Sequence, residues 1–111
     1  ALDFEGAEEF RRVPVAGGHE LRIPIQGDLR LAPVPLSGRA IGADGKVVVT
    51  VAARSSWRWG PAFLDPVTGA VERIPVVFEG DVQSPGWADG ESLVGLGVGL
   101  RTELWRFREL R

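Results

Sequence analysis

Apolar and polar positions follow short periods along this chain. Val47 to Ala53 is rich in β-branched residues and almost continuously apolar, which predicts a strand buried on both faces. Asp44-Gly45 stands just before it and reads as a hairpin turn, because glycine accepts a positive φ without a Cβ clash. Phe63-Leu64-Asp65, the Thr68-Gly69 turn and Val71 to Val76 predict a second hairpin. Phe10 to Val15, Gly17-Gly18 and Glu20 to Ile25 predict the same arrangement earlier in the chain, and Leu93 to Val98 a further strand. Leu100, Leu104 and Phe107 have helical spacing, but Trp105 and Phe107 also alternate with Arg106 and Arg108. The internal repeat described next favours a strand there. Eight prolines and fifteen glycines leave little room for a long helix.

Two motifs recur in the same order. Ala43-Asp44-Gly45 returns as Ala88-Asp89-Gly90, 45 residues later, and Arg22-Ile23-Pro24-Ile25 returns as Arg73-Ile74-Pro75-Val76, 51 residues later. The unequal offsets predict a longer connection in the first unit, around Leu29 to Leu36. Units of about 40–50 residues that open with an Asp-Gly turn fit the pattern of β-propeller blades. Ser84-Pro85-Gly86-Trp87-Ala88-Asp89-Gly90 resembles the S-P-x-W-S-P-D-G signature of TolB-like propeller repeats, though one residue shorter between Trp87 and Asp89. Leu104-Trp105-Arg106-Phe107 and Phe10 to Gly18 are similar to the third strand and following turn of that repeat, while Ile41 stands where the first copy would carry an aromatic.

The resemblance implies an all-β fold of antiparallel four-stranded propeller blades, a fragment of little more than two blades. The expected division is an acidic segment at 1–9, the last hairpin of a preceding blade at 10–26, a complete blade at 27–79 and three strands of a C-terminal blade at 80–111. Closed propellers need at least four blades. The expectation is therefore a C-terminal piece of a larger ring, with the remaining blades as partners, or a protomer that self-associates. The family occurs in bacterial scaffolds and sensors and beside peptidase or kinase domains, so the resemblance favours a periplasmic or extracytoplasmic location. It carries over no catalytic residue.

Composition narrows the function. A hydrophobic share of 44% and a net charge of −2 suit a folded domain and disfavour nucleic acid as a partner. No apolar run approaches the roughly 18 residues of a membrane-spanning helix, so no membrane insertion is expected of this segment. Without cysteine there is no disulfide or thiolate chemistry. His19, the one histidine, falls beside Gly17-Gly18 and reads as a solvated turn residue; no metal and no cofactor are expected. No G-x-S-x-G elbow occurs. Gly95-Leu96-Gly97-Val98-Gly99 lacks the context of a phosphate loop and reads as close approach between sheets. Asp44 and Asp89 read as turn residues, not as an acid–base pair.

The segment with binding chemistry is Ser55-Ser56-Trp57-Arg58-Trp59-Gly60. Two tryptophans flanking an arginine combine large area with low side-chain entropy, the composition of interface hot spots. Trp57, Arg58, Trp59 and the nearby Arg54 are therefore the candidate ligand- or partner-binding residues, with packing between units as the alternative for the tryptophans. The expected function is a non-catalytic module that binds a protein or peptide partner or senses a ligand. The alternative is an accessory propeller that gates or positions substrate for an enzyme domain elsewhere. An acidic start (Asp3, Glu5, Glu8, Glu9) and an arginine-rich end (Arg101, Arg106, Arg108, Arg111) could pair within or between chains.

Overall fold

The computed structural model describes residues 9–99 and Trp105. Every regular element among them is a strand and every pairing is antiparallel, as the residue pattern predicts. Strands β1 (Glu9–Arg12) and β2 (Leu21–Pro24) form a hairpin. Strands β3 (Leu29–Leu31), β4 (Val47–Ala53), β5 (Gly60–Leu64) and β6 (Val71–Arg73) form a four-stranded sheet in sequence order. Strands β7 (Asp81–Trp87) and β8 (Leu93–Val98) form a second hairpin.

The continuous apolar run makes β4 the centre of the molecule. Val47, Val49 and Val51 lie on one face with Leu31, Ala62 and Leu64, and Ile25 and Phe10 of the first hairpin pack against them. Gln26 fixes that hairpin by bonding the Gly69 carbonyl through its backbone N–H (2.8 Å) and the Thr68 carbonyl through its side chain (3.1 Å). The other face carries Val48, Thr50, Phe63 and Arg30, and β7 lies over it with the Trp87 ring stacked on Phe63 at 5.9 Å. The central sheet is thus covered on both faces, which is why a run without alternation is stable here.

Several expectations change. Leu29–Leu31 is strand, not connection: it pairs with the far end of β4, Leu31 opposite Val51. The near end of β4 is met by Ala40, whose carbonyl accepts the Val48 N–H (2.8 Å), and by Ile41, bridged to Val47. The first strand of this sheet is therefore interrupted by an excursion over residues 32–39. At the corresponding place β7 continues through a bulge between Gln83 and Gly86, where Ser84 has a φ of 49°. The excursion accounts for the six residues by which the two repeat offsets differ. It also touches the next unit: the Arg39 carbonyl accepts the Trp87 N–H (2.9 Å), and Gly86 sits against Ser37.

The outer strands are shorter than their apolar runs. Val13–Val15 and Ile74–Val76 fall outside β1 and β6. Strand β8 leaves its apolar side chains Val94, Leu96 and Val98 60%, 61% and 42% exposed. The strand expected at Leu104–Phe107 lies outside the described residues except for Trp105, which is exposed, and so do residues 1–8 and the terminal arginines.

Both Asp-Gly motifs form turns closed by the aspartate. Asp44 Oδ1 accepts the Lys46 N–H (3.0 Å), and Asp89 Oδ1 accepts those of Glu91 (2.8 Å) and Ser92 (2.7 Å). These donors hold the Asp89 carboxyl below the usual aspartate range, as Val67 N–H does for Asp65. The closing backbone bonds are Gly42 to Lys46 in the first turn and Ala88 to Ser92 in the second, so the second loop is set one residue later relative to its aspartate. Gly45 accordingly has a φ of +80°, whereas Gly90 does not adopt a positive φ.

Candidate binding groove

The loop from β4 to β5 is built on its own backbone and on β7. Ser56 N–H bonds the Ala53 carbonyl (3.0 Å), and Ser56 Oγ accepts the Arg58 N–H (3.1 Å). Trp59 is then tied to the start of β7: its N–H meets Asp81 Oδ1 (2.9 Å) and its carbonyl accepts the Val82 N–H (3.0 Å). The four candidate residues consequently occupy different settings.

Trp57 is 71% exposed at the crest of the loop. Trp59 is half-buried, with the Arg30 guanidinium 4.5 Å from its ring centroid. Arg58 is exposed yet committed to the fold, since its guanidinium donates to the carbonyls of Phe78 and, at 3.4 Å, Gly80. Arg54 lies to one side, paired with Asp28 at 2.9 Å. The loop brings Arg58 and Trp59 to one groove and brings neither Trp57 nor Arg54 into its lining.

Arg30 is the residue that the sequence pattern does not disclose. It is only 6% exposed, donates to the Ser56 carbonyl (2.6 Å), and lies under Trp59. A cation over an indole face is attractive, worth about 2 kcal/mol where water is excluded. Arg30 therefore braces the loop from beneath. Its signal was the Leu29-Arg30-Leu31 alternation, obscured because a three-residue strand gives periodicity little length to act on.

Arg58 and Trp59 line a groove of about 490 Å³ that continues along Arg73, Ile74, Val76 and Phe78. The size falls within the range of sites that accept small ligands or peptide segments. Among the described residues the charged ones that line it, Arg58 and Arg73, are cationic. Of the carboxylates nearby, Asp81 accepts the Trp59 N–H, Glu72 lines a separate hollow with Lys46 and Phe63, and Glu79 is exposed between the lining residues Phe78 and Gly80. A second, apolar cavity of about 160 Å³ lies between Phe10, Leu31, Val34, Leu36, Val48 and Pro85.

The described residues contain no cluster of three potential metal ligands. His19 is exposed beside the Gly17-Gly18 turn. Gly95 and Gly97 lie in β8, where Gly97 accepts the Phe78 ring and Gly95 accepts Val82 of the paired strand β7, so the close approach is within this hairpin and the segment that leads into it, not between sheets. No helix among the described residues is long and apolar enough to cross a membrane. Comparison with protein-family models, curated proteins and solved structures returns no match.

Proposed function

We propose that this chain is a non-catalytic binding segment made of β-propeller units, with the β4–β5 loop and its groove as the recognition surface. The supporting observation is the order and stacking of the sheets. A hairpin, a four-stranded antiparallel meander and a second hairpin follow one another along the chain, and the meander is covered on opposite faces by the hairpins before and after it. Successive meanders packed face to face are how propeller blades are arranged. The groove fits binding better than turnover. It joins the half-buried Trp59 indole to two arginines and apolar walls, with the exposed Trp57 on the adjoining loop, and among the described residues no carboxylate, histidine, serine or threonine lines it to act as base or nucleophile.

The test is selection of peptides from a displayed random library against the folded protein, followed by affinity measurement on wild type and Trp57→Ala. Trp57 is the variant of choice because Arg58 also holds the backbone at Phe78 and Gly80. Enriched peptides should bind Trp57→Ala about tenfold more weakly, with the melting temperature retained, as expected of an aromatic anchor. A library that enriches nothing, or peptides indifferent to the substitution, would overturn the proposal.

A further inference from the structure

We infer that the groove beside Trp59 recognises an extended acidic peptide, with Arg73 as the residue that selects the carboxylate. The inference deepens the binding reading above and rests on it. Its first support is charge. Among the described residues Arg73 and Arg58 line the groove with no carboxylate beside them in the lining, and Arg58 already gives donors to two backbone carbonyls. Arg73, by contrast, is exposed and makes no hydrogen bond or ion pair among the described residues, and its guanidinium lies along Gly60, where a Cβ would come within 3.8 Å of it. Strand alternation sends Glu72 to the opposite face, so it does not neutralise Arg73. A planar guanidinium held open in this way suits a carboxylate, which it can engage through two parallel N–H donors.

The second support is the backbone. Arg73 ends β6, which among the described residues pairs with β5 alone and leaves its other edge open. Beyond it Ile74 returns one bond to the Pro61 carbonyl (3.0 Å), and residues 74–78 run on without joining a strand. An extended peptide can use such an edge for main-chain hydrogen bonds, while alternate side chains enter apolar hollows. The walls formed by Trp59, Ile74, Val76, Phe78 and Val82 provide the apolar part. The occupant therefore alternates apolar residues with at least one glutamate or aspartate.

The probe is the capped pentapeptide acetyl-Ala-Leu-Glu-Leu-Ala-amide, compared with its Gln and Lys counterparts by NMR titration of the ¹⁵N-labelled protein. The glutamate peptide should bind about fivefold more tightly than the glutamine peptide at low salt, the size expected of one partly solvated ion pair. That margin should shrink as salt screens the pair. Arg73→Gln should abolish the preference with an unchanged melting temperature, and Arg73→Lys should keep part of it. Equal binding of the Glu and Gln peptides, a preference that survives Arg73→Gln, or no shift with any peptide would overturn the inference. If the displayed library enriches neutral peptides that still depend on Trp57, the binding reading stands and the acidic specificity falls.

Discussion

Single glycines separate what a turn requires of the backbone from what packing requires of it. Gly45 and Gly69 both have positive φ, +80° and +77°. Around Gly45 a Cβ would meet nothing within 4 Å, so alanine there incurs backbone strain alone, about 1 kcal/mol. At Gly69 the added carbon would fall well inside van der Waals contact of the Pro24 carbonyl oxygen and within 3.2 Å of an Ile23 methyl. The backbone would have to shift, and the Gln26-to-Gly69 bond that docks the first hairpin would go with it. Gly69→Ala should therefore destabilise by about 3 kcal/mol, clearly more than Gly45→Ala. Thermal melts of the two variants decide this; equal losses would show that the hairpin does not depend on the close approach. Gly90 differs again: without a positive φ and with open space around it, it should tolerate substitution, although the sequence motif makes it look equivalent to Gly45.

Between elements, the aromatic contact that joins the central sheet to β7 is the stack of Phe63 on Trp87. The Trp87 indole also has a flaw, a buried Nε1–H without a hydrogen-bond partner among the described residues, lying against Gly42. Packing and polarity therefore oppose each other in one side chain. Trp87→Ala should destabilise by about 3 kcal/mol by emptying the junction. Trp87→Phe should stay within about 1 kcal/mol of wild type, because losing ring area is offset by removing an unsatisfied donor. Equal losses for the two, read by chemical denaturation, would mean that the indole N–H is satisfied. The stack also marks where reading the sequence succeeds. The β-branched run of β4, the Asp-Gly turns and the glycine-permitted approaches are local signals, each with a local cause, and they locate the elements. What they leave out is non-local. Nothing in Leu29-Arg30-Leu31 says that it pairs with the far end of β4 or that Arg30 will lie under Trp59. The excursion over residues 32–39 appears in the sequence only as a mismatch between two repeat offsets. The groove was half legible: its tryptophan–arginine loop is a compositional signal, but Arg73 arrives from a strand whose sequence shows only a repeated Arg-Ile-Pro.

At the scale of the whole molecule, the two faces of β4 show what the flanking hairpins still lack. The central sheet has a neighbour on either side, but β8 presents Val94, Leu96 and Val98 on one face, exposed at alternate positions, and Val13, Val15 and Leu21 are exposed on the first hairpin. Apolar side chains aligned along one strand form a contiguous surface, unlike apolar residues scattered singly, and contiguous surfaces of this kind draw partners. In the propeller reading each outward face is where another unit packs, and a second copy of the chain can supply it. The chain in isolation should therefore associate, with the average mass from light scattering rising with concentration. Added salt separates the driving forces: an apolar junction persists or strengthens, whereas pairing of acidic and basic ends weakens. Leu96→Lys places a charge at the centre of the β8 face, where the side chain is already 61% exposed, so the fold should survive while the mass falls towards that of one chain. A cooperative monomer at every concentration, unaffected by Leu96→Lys, would show that 111 residues close their own core. The propeller reading would then give way to a small self-contained β domain.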